Sequence, residues 1–438
     1  MNVEYNQKKL TDTGVMKDKK VFIAGVGAVG SIEGELLTRS QTGLVSAADK
    51  DFYESGNLPK SSAIIRFPED VGKSKALALA ERLNAVAAPG CCAVGNHLDL
   101  KRIGPMALAG FDYVILALDN NAMKVHMATL IASIPADKRP VYLSGGTNKE
   151  FSEAMLFAPG GACLRCTIPD EWLKSEDPEM VFSCAAKVNL LLPEKQREIV
   201  STSGIASMKC AIDMDDMILA HASGTHSFIE SERFAQLTYP VKEGHSTIIM
   251  KRRSCPICAS KPPESLSVLS GCTTKTTLKE ILDKISGYFE GTFRLKVHRL
   301  IIPSVNITQC YQDFIICAKC NTCGELFSVM RHSGLIRKDE IVCPHCKSSD
   351  TTVEADNDVL SAASFDYQSI DMLLDMTLFD LGYPIGAYYE AEEVLSGDTD
   401  EEIDFLSEDS FLDVPTSRFF SLKEDETYLH ETHLSVTG

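Results

Sequence analysis

No run of apolar residues in this 438-residue chain approaches the ~18–20 that a membrane-crossing helix needs, which excludes a helical span as a reading of the sequence. The opening MNVEYNQKKLTDTGVMKDKK has no apolar core of the kind a secretory signal carries, so a cytoplasmic protein with no membrane partner is expected. Basic charge is scarce: 43 Lys and Arg face 61 Asp and Glu, for a formal net charge of −18. Such a balance repels phosphate backbones and argues against a nucleic-acid partner. No solenoid-type repeat is present.

Hydrophobic residues make up 44% of the chain, enough for a substantial core, and at roughly 150 residues per domain the length suggests two or three domains. Residues 19–27 (KKVFIAGVG) predict a buried strand ending in a glycine turn, and 28–40 a helix. LVSAAD (44–49), CCAVGNHLD (91–99), YVILALD (113–119) and VYLSGGT (141–147) predict further strands. Residues 73–88 and 121–133 have helical spacing. This alternation predicts an α/β domain with a largely parallel sheet and helices on both faces. A Pro/Ser-rich stretch from about 262 marks a linker. Beyond it a helix, short strands and late cysteines predict a small α+β domain. The expected division is 1–262, 263–390 and an acidic tail, 391–438, read as solvated chain because of segments such as EAEEVLSGDTDEEIDFLSEDS.

Gly25, Gly27 and Gly30 form a G-x-G-x-x-G turn after a strand and before a helix, where glycines let a phosphate approach the backbone and the helix N-terminus offers N–H groups. Dehydrogenases, methyltransferases and adenylating enzymes share that signal. Asp49 lies about 20 residues on, where a ribose-binding acid belongs. The following residues narrow the field: Asp49-Lys50-Asp51, Asn57-Leu58, Gly72-Lys73-Ser74-Lys75-Ala76 and Leu118-Asp119-Asn120.

In order and spacing these motifs resemble those of the ThiF/MoeB/HesA family of ubiquitin-activating-type adenylyltransferases, over roughly residues 18–260. The resemblance implies a Rossmann-like ATP-binding adenylation domain that uses ATP and Mg²⁺. Its substrate would be the C-terminal glycine of a ubiquitin-like or sulfur-carrier protein. Asp49 would hold the ribose, Asn57 and Lys75 the phosphates, and Asp119 the Mg²⁺, with Asp51 and the three glycines completing the nucleotide site. The resemblance also implies a homodimer and, in a conjugation pathway, a conjugating enzyme as a further partner. The chain departs from the family where an arginine should follow Asn-Leu. Lys60 is the nearest cation there, and the glutamine after it is missing. Lys124 stands where another arginine is usual, and the N-terminal RYxRQ stretch is absent. Lysine supplies charge without a bidentate fork.

Eight of fifteen cysteines form four C-x-x-C pairs, and in a reducing compartment such pairs favour a tetrahedral metal over disulfides. Cys320/Cys323 and Cys343/Cys346, separated by nineteen residues, match a structural zinc ribbon by spacing alone. Cys163/Cys166 and Cys255/Cys258 flank the segment that the family calls its crossover, and the resemblance implies that one zinc joins them. Cys184, in Phe-Ser-Cys-Ala-Ala within that segment, is the candidate thioester nucleophile. The alternative is a small core residue, which the helical setting of Cys210 suits better. Three other functions stay open: sulfur-carrier adenylation for cofactor synthesis, a nicotinamide-dependent redox enzyme, and a non-enzymatic scaffold on a decayed fold.

Overall fold

The computed structural model describes residues 13–57, 61–66, 68–147, 151–168, 204–225, 231–237, 244–253, 255–259, 263, 265–289, 293–297, 314–332, 341–354, 364–366, 374–380, 384–393 and 417–431. Five apolar runs become β1 (Lys20–Ala24), β2 (Leu44–Asp49), β3 (Cys92–His97), β4 (Tyr113–Leu116) and β5 (Val141–Thr147). They pair in parallel in the order β3-β2-β1-β4-β5. Near-continuous hydrophobicity fits strands covered on both faces. Between them run α1 (Ala28–Arg39), α2 (Lys75–Asn84), the four-residue α3 (Pro105–Leu108) and α4 (Asn121–Ala132). β1 shows the two-residue period directly. Val21 and Ile23 pack with Leu37, Leu79 and Leu83 of α1 and α2, whereas Phe22 and Ala24 pack with Leu108 of α3 and Met127 and Leu130 of α4. The strand order reverses between β1 and β4, so the crevice beyond their C-terminal ends is the expected ligand site.

The sheet continues antiparallel through β6 (Phe151–Phe157), β7 (Glu232–Leu237) and β8 (His245–Ile248), with α5 (Gly204–Ala222) packed on α1, β5 and β6. This extension is absent from the sequence expectations, which placed only a helical run around Cys210. After α6 (Pro256–Ala259) come β9 (Ser267–Leu269), α7 (Leu278–Ser286), β10 (Phe293–Val297), β11 (Phe314–Cys320), β12 (Leu326–His332), β13 (Thr351–Glu354), β14 (Ser364–Asp366), β15 (Tyr388–Glu393) and β16 (Ser417–Leu422). They build a five-stranded sheet, β14-β10-β15-β16-β9, and a separate three-stranded one, β12-β11-β13. α7 starts at Thr277, whose side chain accepts the Glu280 N–H. Its Leu278, Ile281, Leu282 and Ile285 cover Tyr389, Ala391, Phe420 and Leu422 of the sheet. The α/β plus small α+β architecture agrees with the sequence reading.

The acidic stretch after 390 does not agree throughout. Residues 417–430 form β16 and a 3-10 helix (Lys423–His430), and they are not solvated tail. The reason lies in the first domain. Between β3 and β4 the chain makes only a 3-10 turn (Leu100–Arg102) and α3, which leaves one face of β2 and β3 short of a helix. The 3-10 helix at 423–430 covers it. Leu429 is 1% exposed, Ser46 on β2 donates to the Leu429 carbonyl at 2.6 Å, and His430 stands edge-on to Phe111. Its acids act as acceptors: Glu424 takes the Gly271 and Cys272 N–H groups, and buried Asp425 takes those of Thr274 and Gly386. Composition counts such carboxylates as solubilising charge and cannot show that they bind backbone.

The seam between α1 and α5 buries Glu33, with no hydrogen-bond partner for either carboxyl oxygen, close to Asp215. Burial, then the Asp215 charge, holds the Glu33 carboxyl well above its usual range. Burial first, then Asp216, pushes Asp215 up to about 6. A carboxyl whose pKa is higher folded than unfolded stabilises most below the unfolded value, near 4, and that stabilisation is lost as pH rises through about 6. Asp215→Asn is therefore expected to raise the unfolding free energy at pH 7.5 by about 2 kcal/mol, with the gain gone by about pH 4. Urea unfolding of both proteins at the two pH values measures it, and an equal difference at both would show that ionisation is not the cause.

Candidate functional site

The glycine turn leaves β1 at Ala24. Gly25 has φ +92°, and a Cβ there would come within 2.7 Å of the Ala117 carbonyl oxygen. A Cβ on Gly30 would meet the Gly25 oxygen at 2.1 Å. These two glycines are required by the contact of α1 with the turn and with the end of β4. Gly27 is different. It is the N-cap of α1, it has no side chain of its own to bond the helix start, and nothing lies within 4 Å of its would-be Cβ. The turn is therefore open at Gly27, where α1 begins, an arrangement that suits a phosphate.

Asp49 ties the turn to β2. One carboxyl oxygen accepts the Val26 N–H at 2.7 Å and the other the Asp51 N–H at 2.8 Å. Burial raises its pKa, with Lys75 partly opposing. Lys75, the first residue of α2, is held from two sides. Its N–H donates to the Asp51 carbonyl, and its Nζ lies 3.2 Å from Asp51 Oδ2 with the side chain 12% exposed. Ala117 follows β4 and donates its N–H to the Ala24 carbonyl, so the chain passes over the glycine turn just before exposed Asp119. Asn120 then caps α4 by accepting the Met123 N–H at 3.0 Å. The fold thus brings Gly25, Gly27, Gly30, Asp49, Asp51, Lys75 and Asp119 to one crevice at the point where the strand order reverses.

Two sequence candidates lie outside the described residues, Lys60 and Cys184. Asn57 closes a turn, its Oδ1 accepting the Glu54 N–H at 2.9 Å. Lys124 is buried and donates to the Gly145 carbonyl at 2.7 Å, fastening α4 to the end of β5. Sequence reasoning overlooked the capping role of Asn120, although an Asn directly before a helical run signals it. It also overlooked Ser62, which accepts no family motif. Its N–H bonds Ser31 Oγ and its hydroxyl bonds Glu35, stapling the loop after Asn57 to α1.

The eight C-x-x-C cysteines form two clusters, each with all four sulfurs within 4.8 Å. In the first, Cys163 lies 3.5 Å from Cys255, Cys166 3.6 Å from Cys258, and Cys163 3.9 Å from Cys166. In the second, Cys320–Cys346 is 3.4 Å and Cys323–Cys343 3.7 Å. Disulfide sulfurs would sit at about 2 Å. Four sulfurs at about 2.3 Å around a tetrahedral zinc are about 3.8 Å apart, and both clusters fit that figure. The second cluster is built from two matching turns. Cys320 and Cys343 accept from Gly324 and Lys347 N–H, and donate their own to the Glu325 and Ser348 carbonyls. The N–H of Cys323, ahead of that of Thr322, helps lower the Cys320 thiol to about 6, favouring the thiolate a metal requires. Around the first cluster, Arg252 N–H points at Cys166 Sγ, and Tyr142 on β5 accepts the Leu164 N–H. Zinc here would be closed by four thiolates and structural.

The model of the ThiF family matches residues 6–319 of the chain. The protein belongs to the ThiF family. Among its relatives, tRNA threonylcarbamoyladenosine dehydratase of Escherichia coli (strain K12) is 24% identical over 223 residues, 50% of this chain and 74% of that protein. The protein of the same name from Haemophilus influenzae is 26% identical over 210 residues, 45% and 77%. Among solved structures, E. coli MccB with MccA-N7isoASN aligns at a TM-score of 0.44 and 18% identity, covering 57% of this chain and 69% of that one. ThiF membership supports an ATP-binding, adenylating enzyme. Among the described residues no helix is long and apolar enough to cross a membrane.

Two zinc ions per chain are expected by elemental analysis, neither needed at the crevice. Cys255→Ser should remove one and lower the melting temperature of the ThiF domain. Cys343→Ser should remove the other and unfold only the ribbon, because binding energy at such sites is folding energy. One equivalent or none in the wild type would refute the pairing.

Proposed function

We propose that this ThiF-family protein uses ATP to adenylate the C-terminal glycine carboxylate of a ubiquitin-like protein, then accepts the acyl group on Cys184. The observation that carries the reading is the joining of Asp49, Asp51 and Lys75 beside the N-terminus of α1, where the N-cap Gly27 leaves open space. Adenylation brings two anions together, so the site must neutralise charge on the α-phosphate as the carboxylate attacks. Lys75 is already oriented for that, and its ion pair with Asp51 holds it before nucleotide arrives. Asp119, exposed at the crevice, suits a divalent cation, which would shield the phosphates when bound. The carboxylate attacks the α-phosphorus and pyrophosphate leaves. The Cys184 thiolate then attacks the acyl carbon and AMP leaves. Asn57 and Lys60, three residues apart in sequence, belong to the phosphate-contacting set in this reading, and Asp49 to the ribose. A homodimer working in the cytoplasm, with a conjugating enzyme downstream, belongs to the same reading.

The names of the two bacterial relatives favour a second reading, in which the activated substrate is a modified tRNA nucleoside. A net charge of −18 disfavours tight binding of a polyphosphate backbone. Adenylation of a sulfur carrier remains the alternative that shares every step except the thioester.

ATP–pyrophosphate exchange separates these readings. Exchange should depend on a ubiquitin-like protein ending in glycine, and Asp119→Ala or Lys75→Ala should lower it by roughly 100-fold or more. Full exchange in Asp119→Ala would remove the assignment. A thiol-sensitive adduct on a non-reducing gel should vanish in Cys184→Ala. Exchange without any adduct in the wild type would move the protein to sulfur transfer, and exchange stimulated only by tRNA to the nucleoside reading.

A further inference from the structure

α2 starts without the side-chain bond that its first residue type favours. Its N-cap is Ser74, a residue that usually accepts a helix N–H, yet the Ser74 hydroxyl makes no such bond. It is turned the other way. Ser74 Oγ lies 3.1 Å from Nδ1 of His97, at the end of β3, and the serine is buried. The helix that opens with Lys75 has therefore given up a good cap. A local rule broken at a candidate site marks a functional constraint.

His97 stands where three segments of the crevice meet. On the sheet side it pairs in register with Asp49, and the N–H of the next residue, Leu98, donates to the Asp49 carbonyl at 3.3 Å. On the helix side β3 and α2 approach closely. A Cβ on Gly95, two residues earlier and on the same face of β3, would come within 2.3 Å of the Ala76 carbonyl oxygen. On the third side the imidazole packs against the Phe52 ring, centroids 4.8 Å apart, although Phe52 is 52% exposed. Phe52 in turn bridges Ser74 antiparallel through the backbone, and the Asp51 carbonyl takes the Lys75 N–H. One imidazole thus touches the residue after Asp51 and the residue before Lys75. Phe52 and Ser74 together fix its orientation.

We infer that His97 is a positioning residue: through Ser74 it sets the place of the Lys75 ammonium in the crevice. That ammonium lies 3.2 Å from Asp51 Oδ2, with the side chain 12% exposed. A first helical turn left to cap itself would shift the backbone from which Lys75 extends. Two readouts test the inference, and only the second rests on the adenylation reading proposed above. The first is chemical. The full chain, with zinc retained, is pulsed with an amine-acylating reagent, and mass spectrometry reads Lys75 against exposed Lys279 of α7. His97→Ala should raise the Lys75 rate by roughly fivefold and leave Lys279 unchanged. The melting temperature should hold, because the freed Ser74 hydroxyl is then available to cap α2. In His97→Asn the amide lies one bond from Cγ, as Nδ1 does, and the wild-type rate should return. In His97→Gln the amide lies further out, and it should not. Ser74→Ala should match His97→Ala, and the double variant should add nothing, since both remove the same bond. The second readout is kinetic. His97→Ala should lower kcat for ATP–pyrophosphate exchange by roughly tenfold with the KM for ATP within about twofold, as when a group is displaced from the transition state. Unchanged labelling of Lys75 overturns the inference whatever the exchange assay shows. Additive effects, or equal behaviour of the Asn and Gln variants, overturn it as well. Faster labelling in His97→Ala, when the wild type performs no exchange, supports the positioning and counts against the adenylation reading instead.

Discussion

The arrangement around the glycine turn depends on one carboxylate that the backbone itself binds. Asp49 holds the glycine turn by Val26 N–H and its own strand end by Asp51 N–H. Without those two bonds β1 and β2 would still pair, but the turn and the Asp51–Lys75 pair would lose their common anchor. Gly25 and Gly30 supply the complementary constraint, because the α1 backbone touches the turn where any Cβ would collide. Rigidity of the turn thus comes from small residues and one half-buried acid. The same arrangement leaves Gly27 and the start of α1 open. A half-buried, doubly hydrogen-bonded Asp49 also fits a group that keeps its position when a nucleotide arrives.

Much of this was legible from the chain. Gly25 to Gly30 and Asp49 were marked by local spacing and the parallel strands by apolar runs, because both depend on near-neighbour chemistry, whereas Lys75 and Asp119 were marked through the resemblance to the family's motifs. The ribbon cluster was legible from its spacing, whereas the joining of Cys163/Cys166 to Cys255/Cys258 followed from the resemblance, and the geometry of both fits a tetrahedral ion. What was not legible depends on distant residues. Nothing around Lys124 shows that its ammonium is spent on the Gly145 carbonyl, and nothing around Glu424 or Asp425 shows that they hold backbone N–H groups far back in sequence. Of the antiparallel strands, β8 escaped because HSTI carries almost no hydrophobic pattern, whereas β6 (FSEAMLF) does carry an apolar run that the sequence reading passed over.

Charge has three roles in this molecule that composition merges into one number. Some acids are solvated. Others, Glu424 and Asp425, are structural acceptors. Glu33 and Asp215 are buried where they oppose the fold at neutral pH, a local cost at the seam of α1 and α5. A formal charge of −18 predicts the partners this surface repels, but not which carboxylates are free to do the repelling.

The 3-10 helix at 423–430 has a consequence for how the chain is made. β2 and β3 are complete within the first hundred residues, yet one of their faces is sealed by Leu429 and anchored through Ser46 to a carbonyl that the ribosome releases more than three hundred residues later. The nucleotide domain therefore emerges unfinished, and stays so through synthesis of the ribbon and the second sheet. Its β2–β3 surface spends that interval exposed, so the period of greatest vulnerability to aggregation falls before the last turn of chain closes over the first sheet.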